Sequence, residues 1–224
     1  YGLCSWLDHN VGKILNALET SGFMENTTVV YTSDHGDNVG ARGLWGKSNL
    51  YQESVSVPMI MAGPEIAPGT CDTPVSLIDL SKTIALHFGA DIASPNDTKS
   101  LAEIAKNAPD PDRVVFSEYH AVGAVSGAFM LRKGRWKYNH YVGFAPELFD
   151  LKDDPEELVN LADDPAFAST LVLLQSDLNQ ICNPDEVNAQ AFADQATMIE
   201  SYGGPEAALK LGAPGATPPP KVTL

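Results

Sequence analysis

The sequence has 224 residues, a formal net charge of -15 at pH 7, 44% hydrophobic residues and 19% charged residues. This composition is ordinary for a globular protein and argues against a chain that is disordered throughout. The acidic balance argues against a nucleic-acid partner, because phosphate backbones bind basic surfaces, and no apolar run approaches the roughly 20 residues that a membrane-spanning helix needs.

The first predicted elements are a helix and a strand that ends in a polar loop. Apolar residues recur at helical spacing over residues 3–18, and the pattern stops at Gly22, which is typical of the C-terminal end of a helix. Residues 27–32 are rich in β-branched side chains and indicate a strand buried in a parallel sheet. Asp34 and His35 follow this strand directly, where open α/β sheets bind their ligands.

The next elements complete an α/β pattern. Residues 57–62 predict a second strand and residues 76–88 predict a helix, so residues 1–112 are interpreted as one α/β unit. Residues 92–113 are rich in Pro, Asp and Asn and are predicted to connect this unit to a second one.

The second predicted domain, residues 113–224, begins with an antiparallel sheet. Consecutive strands without intervening helices are predicted at residues 114–119, 128–132, 136–141 and 148–151. The segment of residues 155–210 is predicted to be helical, and the proline-rich tail from Gly212 is predicted to be extended or disordered.

Several polar residues at or near the predicted strand ends are candidates for chemistry. Asp34 and His35 offer a carboxylate oxygen and an imidazole nitrogen, which both bind divalent cations, although two ligands do not complete a site. The alternative is a strand-end turn that Asp34 caps. Lys47 lies in a Gly-flanked loop and suits an oxygen of sulfate or phosphate, but it and Arg42 could equally be solvated surface residues. His120 precedes a Gly/Ala loop and could line a substrate entrance or be structural.

Three motifs, in this order, resemble the sulfatase family of the alkaline phosphatase superfamily. They are VYTSDHGD at residues 30–37, RGLWGK followed by ESVSVPMI over residues 42–60, and ELFDLKDDPEELVNLA at residues 147–162. The resemblance covers about residues 1–165. It implies the C-terminal part of an alkaline-phosphatase-like α/β sandwich, followed by a small antiparallel β subdomain with C-terminal helices. Histidine after the aspartate is similar to choline sulfatases and phosphonate monoester hydrolases.

The resemblance also implies roles for individual residues. Asp34 and His35 would bind a divalent metal, with calcium preferred over manganese or magnesium. Lys47 would contact the sulfate group and act in catalysis, and Arg42 and His120 are further substrate-binding candidates. The implied activity is metal-dependent hydrolysis of sulfate esters, and phosphodiester or phosphonate monoester hydrolysis is the alternative because sulfate and phosphate share tetrahedral geometry. A small anionic ester is therefore the expected partner.

The nucleophile of the family, a formylglycine made in a Cys/Ser-x-Pro-x-Arg motif, has no counterpart here. Neither Cys4 nor Cys71 lies in such a motif, and Cys182 has Glu186 where arginine is required, which we interpret as a chance match. Because a helix is predicted from the first few residues, we expect a chain that lacks the N-terminal part of its enzyme and is inactive alone. A non-catalytic truncated or binding subunit is the remaining alternative.

The cysteines and the C-terminal segment bear on compartment and assembly. Three widely separated cysteines form neither a disulfide framework nor a zinc-ligand cluster and slightly favour the cytoplasm over the periplasm. Apolar side chains of the predicted C-terminal helices could pack between subunits, so a homo-oligomer is an alternative to a monomer.

Overall fold

The computed structural model describes residues 1–64, 66–90, 92–93 and 98–211. The α-helices are α1 (Gly2–Thr20), α2 (Gln52–Val55), α3 (Leu77–His87), α4 (Leu101–Lys106), α5 (Ala168–Ile181), α6 (Pro184–Ser201) and α7 (Pro205–Leu211). The strands are β1 (Val29–Thr32), β2 (Met59–Ala62), β3 (Val114–Tyr119), β4 (Ala128–Lys133), β5 (Trp136–Tyr141) and β6 (Glu147–Asp150). Within these residues, no helix has the length and apolar character needed to cross a membrane.

The first sheet consists of β1 and β2, and their direction corrects a prediction. The two strands pair antiparallel, with Val29 opposite Ala62 and Thr32 opposite Met59, whereas the β-branched composition of residues 27–32 had indicated a parallel sheet. Adjacent parallel strands need a long crossover, usually a helix packed on the sheet. The segment between β1 and β2 instead contains a short 3-10 turn and the single-turn helix α2, so the chain returns beside β1 in the opposite direction.

The predicted antiparallel sheet of the C-terminal half is confirmed, with the order β3-β4-β5-β6. Its two faces bury different residues, as expected when side chains alternate along a strand. One face packs its apolar residues, including Leu131 and Tyr138, against Leu174 and Leu178 of α5. The other face turns toward the loop that contains Leu50 and carries polar residues among its buried positions.

The helices depart from the predictions at two places. Residues 92–113 include helix α4, whose first turn is capped because the Ser100 hydroxyl accepts a hydrogen bond from the Glu103 amide. The sequence did not predict this helix, because six residues are too few to show the helical spacing of apolar side chains. The predicted helical segment begins late, because the Asp154 carboxylate accepts the amides of Leu158 and Val159 and closes a turn there. The tail from Gly212 lies outside the described residues.

The predicted boundary near residue 112 stays a prediction, and a buried ion pair lies across it. Arg113 Nη2 lies 2.6 Å from Asp79 Oδ1, and both side chains are less than a tenth exposed. Because Asp79 belongs to α3 and Arg113 directly precedes β3, this contact ties the two halves of the chain together.

Candidate functional site

Asp34 and His35 lie directly beyond the end of β1, and a tight turn brings their side chains together. The Ser33 hydroxyl donates to the His35 carbonyl oxygen at 2.8 Å, and the His35 amide donates to Asp34 Oδ1 at 3.0 Å. As a result, His35 Nε2 lies 3.3 Å from Asp34 Oδ2. Desolvation acts to raise the pKa of the Asp34 carboxyl, but attraction to His35 and hydrogen bonds to the carboxylate outweigh it and lower the pKa.

The hydrogen bond on the other side of the His35 ring assigns its tautomer. His35 Nδ1 lies 2.8 Å from the Gly36 carbonyl oxygen. A carbonyl oxygen can only accept, so Nδ1 carries a proton, and whenever the ring is neutral Nε2 keeps its lone pair. Metal-binding histidines are commonly oriented in this way, with the second ring nitrogen donating to a backbone carbonyl.

Asp34 and His35 fit a divalent cation as two of its ligands. Their oxygen and nitrogen donors suit calcium, magnesium or manganese to different degrees. No cluster of three or more His, Cys, Asp or Glu side chains occurs within the described residues. Further ligands would therefore have to be water, substrate oxygens or groups outside the described part of the chain.

Lys47 lies beside this pair. Its Nζ atom makes a hydrogen bond to His35 Nε2, in which the ammonium group is the donor because it has no lone pair, and Nε2 of the neutral ring is the acceptor. A metal ion on Nε2 would use the same lone pair, so Lys47 would then be available for an oxyanion. The structure thus groups three of the residues that the sequence analysis singled out, and their roles stay predictions.

Asp37 and Asn38 close the loop of residues 38–46, which precedes Lys47, and the sequence analysis assigned no role to them. The Asn38 amide nitrogen donates to the Gly46 carbonyl oxygen at 2.8 Å, and Asp37 Oδ1 accepts the Gly46 amide at 3.2 Å. Asn38 is 3% exposed, and its side chain also donates to Ser54 Oγ at 3.2 Å. Asp and Asn side chains typically bond the backbone of glycine-rich loops, which was the available signal.

Gly36 is required by a close backbone contact between the strand-end turn and α2. Its amide donates to the Ser54 carbonyl oxygen at 2.8 Å, and a Cβ atom on it would lie 2.0 Å from the Glu53 carbonyl oxygen. We expect Gly36→Ala to lower the free energy of unfolding by roughly 1–3 kcal/mol, as overpacking does, in a urea titration. Gly12→Ala is the control, because no atom lies within 4 Å of its Cβ position and alanine favours a helix. Equal stability of the two variants would contradict this account of Gly36.

Arg42 has structural contacts around its guanidinium group. It donates to the carbonyl oxygens of Glu157, at 2.9 Å, and Glu156. It lies 3.6 Å from the carboxylates of Glu53 and Glu157 and 4.3 Å from the centre of the Tyr51 ring. Its predicted substrate-binding role stays a prediction, and these contacts link its loop to the C-terminal sheet unit.

His120 packs against the C-terminal sheet. Its ring meets Phe129 edge-on, with centroids 5.3 Å apart, and its Nε2 lies 3.6 Å from Glu118 Oε2. The neighbouring Tyr119 lines the cavity described next, whereas His120 is absent from the lining. Its substrate-binding role therefore also stays a prediction.

A cavity of about 1030 Å³ contains the strand-end group. Asp34, His35 and Lys47 line one side, and Tyr119 and Arg132 of the C-terminal sheet contribute to another. Desolvation lowers the pKa of Arg132, and the nearby Glu157 opposes this shift; arginine side chains are cations at neutral pH in proteins. The sequence placed Arg132 in a strand but gave no sign that it faces this cavity. A cavity of this size accommodates a small ligand.

Comparison with known proteins finds one family model and relatives that are similar over most of the chain. The model of the family described as Sulfatase matches residues 1–90. The choline-sulfatase of Rhizobium meliloti is 37% identical over 164 residues, which cover 72% of this chain and 32% of that protein. Arylsulfatase K of Mus musculus is 33% identical over 201 residues, covering 84% of this chain and 36% of that protein. The chain thus spans about a third of the length of these relatives.

Solved structures share the fold. A phosphonate monoester hydrolase from Silicibacter pomeroyi superimposes with a TM-score of 0.66 at 28% identity, covering 77% of this chain and 38% of that one. A 2-O GAG sulfatase gives a TM-score of 0.64 at 29% identity, covering 85% of this chain and 42% of that one.

Proposed function

Because the chain belongs to the sulfatase family of the alkaline phosphatase superfamily, we propose that it provides the metal- and anion-binding strand end of a sulfate ester hydrolase. The observation that carries the proposal is the convergence of Asp34, His35 and Lys47 in one cavity. These residues lie within the segment that matches the family. The activity is proposed for the protein to which the chain contributes, because the chain spans about a third of its relatives.

Asp34 and His35 are proposed to hold a divalent cation, with calcium preferred. When bound, such an ion withdraws electron density from the sulfate oxygens. Asp34 supplies a carboxylate that stays ionised at neutral pH, since its pKa is lowered. His35 presents Nε2 because its Nδ1–H is held by the Gly36 carbonyl oxygen.

Lys47 is proposed to bind a nonbridging oxygen of the ester. Its ammonium group can stabilise the charge that develops there in the transition state. With a net charge of -15, the chain as a whole repels anions at long range. A local cationic group is therefore needed to retain an anionic ester, and Lys47, beside His35, is proposed to supply it.

Cys182 makes a poor nucleophile in this structure. Its side chain packs against the core cluster beside α5, and desolvation together with Glu118 raises the pKa of its thiol. Reactive cysteines have lowered pKa values and reach the reacting group, and Cys182 is absent from the cavity lining. We therefore propose no nucleophilic role for Cys182.

Hydrolysis of phosphonate monoesters is the second candidate. The observation that favours it is the likeness to the phosphonate monoester hydrolase fold at a TM-score of 0.66. Tetrahedral phosphonate and sulfate groups present similar oxygens to Asp34, His35 and Lys47, so these three residues do not separate the two substrates.

The test is turnover of two chromogenic esters by the protein purified from its natural source, with its intact mass measured. The esters are an aryl sulfate and an aryl phosphonate monoester, assayed after chelation and after addition of calcium or manganese. We expect metal-dependent hydrolysis with the sulfate preferred. Preference for the phosphonate would support the second candidate, and no turnover of either ester would overturn both in favour of a non-catalytic chain.

A further inference from the structure

A buried carboxylate of the C-terminal sheet unit reaches toward the loop that precedes Lys47. The side chain of Glu157 has no exposed surface, and its Oε1 lies 2.5 Å from the equally buried Nζ of Lys137. Its Oε2 accepts the backbone amide of Gln52 at 2.7 Å. A buried charge is expensive unless it is paired, so this carboxylate has a fixed position relative to both halves of the chain.

Arg42 connects this carboxylate to the loop of residues 38–46. Its guanidinium group contacts both the main chain and the carboxylate of Glu157. Both residues have left-handed backbones, with φ values of 56° at Arg42 and 53° at Glu157. Such conformations are uncommon outside glycine and persist where the surroundings fix them. Two left-handed residues from distant parts of the chain therefore hold each other in place.

The loop consequently has two anchors, and Lys47 follows immediately after one of them. The base is closed by the pairing of Asn38 with Gly46. Arg42, near the tip, is held against the turn that ends at Glu157. If the contact between Arg42 and Glu157 were lost, the pairing of Asn38 with Gly46 would be the remaining constraint on the orientation of Lys47.

We propose that Glu157 is a positioning residue, which acts through Arg42 to hold the loop of residues 38–46 so that Lys47 lies against His35. If Lys47 binds the ester as proposed above, displacing it through Glu157 would also lower turnover; this consequence rests on the proposed function. The geometric claim itself concerns contacts within this chain and can be measured without substrate.

A matched control exists in the same sheet unit. Lys133 and Asp177 form an ion pair at 2.9 Å, with both side chains partly exposed. This pair joins β4 to α5, the helix that packs on the apolar face of the sheet. Loss of this pair reports on general loosening of the sheet unit, whereas loss of Glu157 is expected to act on the loop as well.

The experiment is nitrogen-15 NMR of the His35 ring in the metal-free chain, together with hydrogen exchange of the Gly40 and Leu44 amides. Four variants are compared with the unmodified chain: Glu157→Gln, Lys137→Met combined with Glu157→Gln, Asp177→Asn and Lys47→Met. The double variant is included because the single one leaves the Lys137 charge buried and unpaired, and it is used if Glu157→Gln does not fold.

We expect the His35 ring resonance of the Glu157 variants to move toward its position in Lys47→Met. Exchange of the two loop amides is expected to accelerate at least about tenfold, as for local opening, while Asp177→Asn matches the unmodified chain. Unchanged His35 and amide signals in the Glu157 variants would overturn the proposal, as would a resonance that does not respond to Lys47→Met. A negative ester assay, by contrast, overturns the proposed function and leaves the NMR result standing.

Discussion

Replacement of Lys137 with methionine is expected to lower the free energy of unfolding by about 3–5 kcal/mol, which is typical when one partner of a buried ion pair is removed. Lys137 and Glu157 are both fully buried and 2.5 Å apart. Desolvation lowers the pKa of the Lys137 ammonium, and the attraction of Glu157 opposes that shift. Without Lys137, the Glu157 carboxylate would keep the Gln52 amide at 2.7 Å and the more distant Arg42 as partners. Urea unfolding followed by circular dichroism measures the loss.

Two controls separate the cost of leaving the Glu157 charge unpaired from the cost of losing the Lys137 side chain. Adding Glu157→Gln to Lys137→Met removes the unpaired charge and is expected to recover most of the loss, because a neutral replacement of a buried pair is often tolerated. Lys133→Met breaks the partly exposed pair with Asp177 and should cost no more than about 1 kcal/mol. A cost for Lys137→Met as small as that for Lys133→Met would contradict the assignment of a charged, buried pair.

Replacement of Lys47 with methionine is expected to lower kcat/KM for a sulfate ester at least about 100-fold in the natural protein, as loss of one oxyanion-stabilising donor does. Lys47 is exposed and its side chain makes a hydrogen bond to His35, so thermal stability should hardly change. Lys106→Met is the control, since it removes the same charge from an exposed position at the end of α4. Equal activity of the two variants would remove Lys47 from the proposed site.

The position of Asp34 and His35 at the end of a strand was predictable because its signals are local. A β-branched run followed at once by Asp34 and His35 marks a strand and the polar turn beyond it, and these residues lie there in the structure. The same run carried no information on strand direction. Direction depends on the connection between strands, and here it yields the antiparallel pair of β1 and β2.

The partners of Arg42 could not be predicted from the sequence around it. Its contact with Glu157 joins positions 115 residues apart, and both residues lie in segments rich in charged or glycine neighbours that are typical of surface loops. The acidic run from Asp150 to Glu157 contains a turn, which the Asp154 carboxylate closes by accepting the amides of Leu158 and Val159. Burial of Glu157 depends on Lys137, which faces it from β5, and a single pattern along the chain does not reveal such a pairing.

The most direct test of the central claim, a divalent-metal site at Asp34 and His35, is the paramagnetic broadening of NMR signals when manganese is added in small amounts to the chain. We expect the signals of His35, Gly36 and Lys47 to broaden first and Asp34→Asn to abolish this selectivity. Broadening centred instead on the acidic turn at Asp150 and Asp153, unchanged by Asp34→Asn, would contradict the account.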